Sequence, residues 1–218
     1  HELPHWFLLP GTAVKHLFVT GTDTGIGKTI ASAWLCKHWQ ADYWKPVQSG
    51  LDGGSDSEWI ARLSGCTVHP ETYRLTQPLS PHQAADIDGI KIQLSDFVLP
   101  KAERLIIEGA GGCMVPLNWR DTMLDLMKHL NSCALLVARS GLGTINHTCL
   151  SLQALKAAGV PVLGVVMVGE THPANREAIE HFGEVPVLAE LPVFNELSPQ
   201  ALAEFCMPER LIRALGSL

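Results

Sequence analysis

The sequence predicts an α/β fold: a single domain in which one mostly parallel central β-sheet is flanked by helices on both faces. Three observations predict it. Short apolar, β-like runs alternate with helical patterns along nearly the whole chain, as parallel strands joined by crossover helices require. A glycine-bearing segment followed by Lys28-Thr29 stands where the first such run meets the first helical pattern. No internal repeat, low-complexity tract or Pro/Gly/Ser-rich linker divides the 218 residues, a length suited to one well-buried core.

The expected strands, in order, are residues 17–20, 43–47, 104–108, 134–138, 162–168 and 187–191. Each is an apolar run of the length that strands buried on both faces show. Helical patterns are expected at 28–39, 57–63, 94–99, 123–130, 144–157, 175–182, 199–205 and 208–215. The last of these begins with a proline at a position that tolerates it. Residues 1–15 read as an N-terminal extension. The opening His1-Glu2-Leu3-Pro4 lacks a basic region, and the segment is too short for a secretory signal. Residues 16–218 then form the one domain.

Composition excludes several classes of function. Hydrophobic residues make up 46% and charged residues 17% of the chain, which describes a packed interior, not disorder. A formal net charge of −6 argues against a nucleic-acid partner, which needs a basic surface to displace counterions. No segment approaches the ~20 apolar residues of a membrane helix. The six cysteines show no C-x-x-C pair or zinc-like spacing and read as small buried hydrophobes in a reducing, cytoplasmic compartment. The ten histidines lack the paired spacing of a metal site.

The chemistry concentrates in Gly21-Thr22-Asp23-Thr24-Gly25-Ile26-Gly27-Lys28-Thr29. A helix N-terminus presents unpaired N–H groups and a partial positive charge to an anion. Thr24, Gly25, Ile26, Gly27 and Ile30 would form the cradle, with glycines where a Cβ would block a phosphate. Lys28 would reach the outer phosphates, and the Thr29 hydroxyl suits Mg²⁺. Gly21 stands one residue earlier than the common P-loop pattern places its first glycine, and Thr22 takes that place. A plain turn capped by Thr22, Asp23 or Thr24 would give no reason for glycines followed directly by lysine and threonine.

Ligands of open α/β sheets bind at the carboxyl ends of the strands, so the other strand ends bear on the same site. The second expected strand delivers Lys45 and then Ser49, and Asp56 stands at a helix start soon after. The third delivers Glu108 straight into Gly109-Ala110-Gly111, an acid where P-loop proteins hold Mg²⁺ beside a backbone that can approach phosphate. Taken singly, each has a plain alternative: Lys45 a solvated strand end, Asp56 an N-cap and Glu108 an exposed terminus. The expected topology gathers all three beside Lys28. Gly143-Thr144-Ile145-Asn146 opens another helix after the fourth strand, suited to a carboxylate or phosphate, or simply to capping.

Together these segments resemble the dethiobiotin synthetase family. The likeness lies in Gly21 to Thr24 with Gly27-Lys28-Thr29, Lys45-Pro46-Val47 with Ser49-Gly50, Ser55-Asp56, Ser80-Pro81-His82, Glu108 to Gly112, Gly143 to His147 and Glu190-Leu191-Pro192. The resemblance implies a P-loop NTPase fold and an ATP- and Mg²⁺-dependent ligase. Such an enzyme carboxylates 7,8-diaminononanoate with CO₂ and closes the ring to dethiobiotin through a carbamate and a carbamic-phosphoric anhydride. It implies Lys28 and Lys45 as catalytic cations and Thr29, Asp56 and Glu108 as the metal set. Ser49, Thr144 and Asn146 become substrate contacts, the last two across a homodimer interface. ATP is implied to lie on residues 24–30, Asp56, Glu108 to Gly111, and Pro192, Val193 and Phe194. Two positions depart from the family pattern. Gly25 replaces an acidic residue of many relatives, and Val168 stands where relatives that read adenine carry asparagine. Two other readings share the core: a partitioning or positioning ATPase switch, and another P-loop amidoligase or small-molecule kinase. The switch proteins carry an extra lysine early in the loop, where this chain has Thr20, Gly21 and Thr22.

Overall fold

The computed structural model describes residues 15–218, and among them the chain forms nine strands and eight α-helices. In chain order these are β1 (Lys15–Gly21), α1 (Lys28–Trp39), β2 (Asp42–Trp44), β3 (Val47–Ser49), α2 (Asp56–Ser64), β4 (Val68–His69), β5 (Tyr73–Leu75), α3 (Pro81–Asp88) and β6 (Arg104–Gly112). There follow α4 (Met123–His129), β7 (Cys133–Arg139), α5 (Thr144–Ala157), β8 (Val162–Val168), α6 (Pro173–Gly183), β9 (Val187–Leu191), α7 (Pro199–Glu204) and α8 (Glu209–Gly216). Seven strands make one sheet in the order β4-β2-β6-β1-β7-β8-β9. Every neighbouring pair in it is parallel. The N-terminal extension lies outside the described residues except Lys15, which is already the first residue of β1.

Side-chain alternation on the strands builds two cores, one on each face of the sheet. Leu17, Val19, Ile106, Leu135 and Val137 pack with Trp34 and Leu35 of α1 on one face. Phe18, Leu105, Ile107 and Leu136 pack with Leu126 and Met127 of α4 and Leu155 of α5 on the other. Each such fully buried side chain contributes about 1.5–3 kcal/mol to folding. Trp34 is completely buried, and its indole N–H donates to the Phe205 carbonyl at 2.6 Å, tying α1 to the segment after α7.

The structure corrects the sequence expectations in several places. Residues 43–47 do not form one strand. Pro46 has no N–H for the ladder, and the chain breaks there. β2 stays in the main sheet, while β3 leaves to pair with β5 in a separate two-stranded sheet. The Pro46 carbonyl accepts instead from the N–H groups of Thr72 and Tyr73. Residues 94–99 form only a single 3₁₀ turn, Leu94–Asp96. Phe97 is extended, with its ring buried and its carbonyl bonded to His129 Nε2 at 3.1 Å. α3 was not anticipated, although Ser80 at its N-cap and Pro81 in its first turn are a start signal. β6 runs on to Gly112, so Glu108 lies inside a strand and not at its end. The glycines bulge the strand instead of ending it: Gly111 holds a φ of 64°, and the pairing with β1 shifts register between Glu108 and Gly112. A Cβ on Gly109 would stand 2.8 Å from Phe18 Cε1, so glycine permits the close approach of strand and ring. Among the cysteines, Cys36, Cys113 and Cys133 are buried as expected, and Cys206 is exposed. No helix among the described residues is long and apolar enough to cross a membrane.

Candidate active site

β1 ends at the centre of the sheet, and the loop after it wraps the N-terminus of α1. Gly25 and Gly27 hold φ of 69° and 100°, left-handed values that only glycine adopts without strain. Gly27 is the N-cap, no side chain caps the helix and its first turn holds no acid. The capped-turn reading therefore fails, and the helix leaves its N–H groups to an anion. A Cβ on Gly27 would also stand 2.9 Å from Val168 Cγ1. Lys28 is 7% exposed and donates to the Asp23 carbonyl at 2.9 Å, which folds the loop around its own cation.

The period of the sheet then selects the acids and the second lysine. Tyr43 pairs with Ile106 across β2 and β6. Lys45 and Glu108, two residues on from each, therefore share the α1/α2 face. Glu108 is 1% exposed and Lys45 4%. Lys45 Nζ lies 2.6 Å from Asp56 Oδ2 and 3.4 Å from Glu108 Oε1. The Thr29 hydroxyl reaches Asp56 Oδ1 at 3.1 Å and Glu108 Oε1 at 3.0 Å. One hydroxyl, two carboxylates and one ammonium thus close a ring beside Lys28.

Burial opposes the charge on Lys45, but Glu108 and Asp56 outweigh it and hold the ammonium above the ordinary lysine range. Lys28 goes the other way. Its desolvation exceeds the help of Glu108, and Lys45 adds repulsion, so its pKa is lowered.

Asp56 is set by the start of α2. Ser55, not Asp56, is the N-cap, and it forms a capping box with Glu58: its hydroxyl accepts from the Glu58 N–H at 3.2 Å, and the Glu58 carboxylate accepts from the Ser55 N–H at 3.1 Å. The Asp56 N–H donates to Gln48 Oε1 at 3.1 Å, so β3 also fixes the position of this turn. Replacing Ser55 with alanine should cost about 1 kcal/mol of stability by removing this cap. A thermal melt checks the effect, and an unchanged melting temperature would show the cap to be dispensable.

A cavity of about 720 Å³ opens over this ring. The predicted Thr24, Gly25, Gly27, Lys28, Thr29, Ile30, Lys45, Ser49, Asp56, Glu108, Ala110 and Gly111 all line it. The buried Ser49 hydroxyl has no partner among the described residues. Other predicted residues lie elsewhere. Ile26 packs into the core and Gly109 against Phe18. Pro192 and Val193 are exposed after β9, with Phe194 half-buried against Phe205. The Thr144 hydroxyl is buried against Thr148 at 3.2 Å, and Asn146 is exposed on the first turn of α5.

Sequence reasoning missed Gln48, the α3 start at Ser80-Pro81 that walls the cavity, and Tyr43. Ser80-Pro81 carried a readable helix-start signal. Tyr43 carried none, because an aromatic residue in a strand reads as core.

A family model described as an AAA domain matches residues 15–201. The ATP-dependent dethiobiotin synthetase BioD of Paramagnetospirillum magneticum is 55% identical over 180 residues, which span 82% of this chain and 88% of that protein. The enzyme of the same name from Novosphingobium aromaticivorans is 47% identical over 189 residues, spanning 85% and 92%. Among solved structures, the cell division ATPase MinD of Pyrococcus furiosus superposes with a TM-score of 0.54 at 18% identity, covering 94% of this chain and 97% of that one. At that identity the likeness concerns the fold alone, which is the P-loop NTPase fold.

Proposed function

The chain belongs to the ATP-dependent dethiobiotin synthetase family, and from that premise we propose how its cavity carries out the reaction. The protein is an ATP-dependent ligase that forms C–N bonds and makes dethiobiotin in biotin biosynthesis. The observation that carries the assignment of residues is the seat of Lys45, clamped between Asp56 and Glu108 in the same cavity as Lys28 and Thr29.

In the proposed sequence one amine of 7,8-diaminononanoate takes up CO₂ as a carbamate. A carbamate oxygen attacks the γ-phosphorus of ATP and expels ADP. The second amine then attacks the carbonyl carbon of the mixed anhydride, closing the ring and releasing phosphate. A carbamate is already an oxygen nucleophile, so the protein's task is to position groups and to offset charge in a loose phosphoryl-transfer transition state. Lys28 holds the outer phosphates. Lys45 spans carbamate and γ-phosphoryl group, and the free Ser49 hydroxyl takes a hydrogen bond of the diamine.

The residues present fit Mg²⁺. Thr29, Asp56 and Glu108 offer hard oxygen donors around one point. No cluster of three or more His, Cys, Asp or Glu that could hold a metal stands among the described residues. That pattern suits an ion that keeps waters and phosphate oxygens in its shell. When bound, Mg²⁺ would neutralise charge on the β- and γ-phosphoryl oxygens. Adenine contacts fall to backbone near Pro192, Val193 and Phe194, since Val168 is apolar, packs against Gly27 and has no group to bond a base edge. Neither Thr144 nor Asn146 lines this cavity; exposure of Asn146 on the first turn of α5 supports a role for that helix start in a partner's cavity, whereas the Thr144 hydroxyl is buried against Thr148. Residues 16–218 act as one catalytic domain, and the cytoplasm, where ATP is supplied, is the proposed compartment.

Turnover of ATP to ADP and phosphate should require diaminononanoate and bicarbonate together, disappear with EDTA and return with Mg²⁺. A phosphate-release assay with each component omitted in turn checks this. ATP turnover stimulated by DNA or a protein, and indifferent to the diamine, would restore the switch reading. The near-half identity to synthetases and the absence of an early loop lysine disfavour that reading.

A further inference from the structure

We propose that Tyr43 is a positioning residue for this reaction: its phenol pins one oxygen of Glu108, so that the other is held toward Thr29, Lys45 and the cavity. The proposal rests on the reading of Glu108 as part of the metal site. Tyr43 is fully buried, and its hydroxyl donates to Glu108 Oε2 at 3.0 Å. The opposite oxygen, Oε1, faces Thr29 at 3.0 Å and Lys45 at 3.4 Å. Tyr43 and Lys45 thus donate to the carboxylate, as a buried anion requires, and the one Thr29 hydroxyl proton is shared between it and Asp56.

The pin is needed because the terminal torsion of a glutamate is soft and roughly two-fold, so the rotamer alone does not choose which oxygen faces the ligand. Without the Tyr43 donor, Oε2 keeps no hydrogen bond among the described residues. The carboxylate is then free to turn and share its remaining donors, which withdraws an oxygen from the cavity. Among the described residues Thr29 and Lys45 converge on Oε1, and Tyr43 alone holds Oε2.

The test uses Tyr43→Phe, which keeps the ring and removes only the donor. ADP affinity is measured by calorimetry with and without Mg²⁺ in the wild type, in Tyr43→Phe, in Glu108→Gln and in the double variant. Tyr43→Phe should leave Mg²⁺-free ADP affinity within about two-fold of wild type and reduce the gain on adding Mg²⁺ by about ten-fold, the scale of one hydrogen bond to a charged group. kcat should fall by a similar factor while KM for the diamine holds. The double variant should match Glu108→Gln alone, as expected if Tyr43 acts through Glu108. A purely structural role would lower the melting temperature and leave the Mg²⁺ gain unmoved. If Glu108→Gln abolishes the gain and Tyr43→Phe preserves it, or if the two losses add in the double variant, the role of Tyr43 is overturned and the metal-site reading survives. If neither variant alters the gain, the metal-site reading itself fails.

Discussion

Replacing Lys45 with alanine lowers the rate of dethiobiotin formation by a factor on the order of 10²–10³ or more, the loss typical for removing one group that stabilises developing charge, while nucleotide affinity stays within a few-fold of wild type. The split follows from position. Lys45 lies on the Asp56 and Glu108 side of the cavity, and the proposed phosphate-binding duty falls to Lys28, at the start of α1. Because its two carboxylates hold it above the ordinary lysine range, Lys45 is a cation at any pH where the enzyme works. The variant therefore removes a full charge. It also leaves Asp56 and Glu108 without their shared counter-ion, so the variant should melt lower in EDTA, and the proposed metal set predicts recovery with MgADP. Single-turnover phosphate release and ADP calorimetry separate the two effects. Lost nucleotide binding with normal turnover of the remaining complex would assign Lys45 to binding and not to the reacting centre.

The second large effect is at Lys28, where alanine should weaken nucleotide binding and turnover together. Among the described residues this ammonium has the Asp23 carbonyl as its hydrogen-bond partner, and burial lowers its pKa. A triphosphate beside it favours the charged form and raises that pKa. Between the lowered and the raised value, ATP binding must take up a proton, so affinity falls as pH rises through the lowered pKa. Calorimetry in buffers of different ionisation enthalpy should show this uptake at alkaline pH in the wild type and not in Lys28→Ala. Uptake that persists in the variant would place the titrating group elsewhere.

Much of the site is legible in the sequence because its signals are local. Glycine at positions 25 and 27 followed by Lys28-Thr29 specifies a left-handed turn into a helix, and α1 begins and ends where its pattern predicts, at Lys28 and Trp39. Glu108 stands out because an acid among Leu105, Ile106 and Ile107 is costly to bury without partners. It lies within the strand and not at its end, because Gly109, Gly111 and Gly112 bulge β6 and allow close packing without terminating it. The break at Pro46 was also local, yet its consequence, a β3 that leaves the sheet, depends on β5 being there to receive it.

The sequence by itself determined the phosphate-binding loop, the alternating architecture, the two lysines and the acids that converge on them. Each of those is written within a helical turn or a strand, where backbone preference and hydrophobic period act over a few residues. Only the tertiary structure decided that Tyr43 holds Glu108 across 65 residues of chain, that Gln48 steadies Asp56 and that Thr144 and Asn146 stand away from this cavity. Those relations are set by which strands lie side by side and in what register. That choice is made by burying two apolar faces at once, and no short stretch of the chain carries it alone.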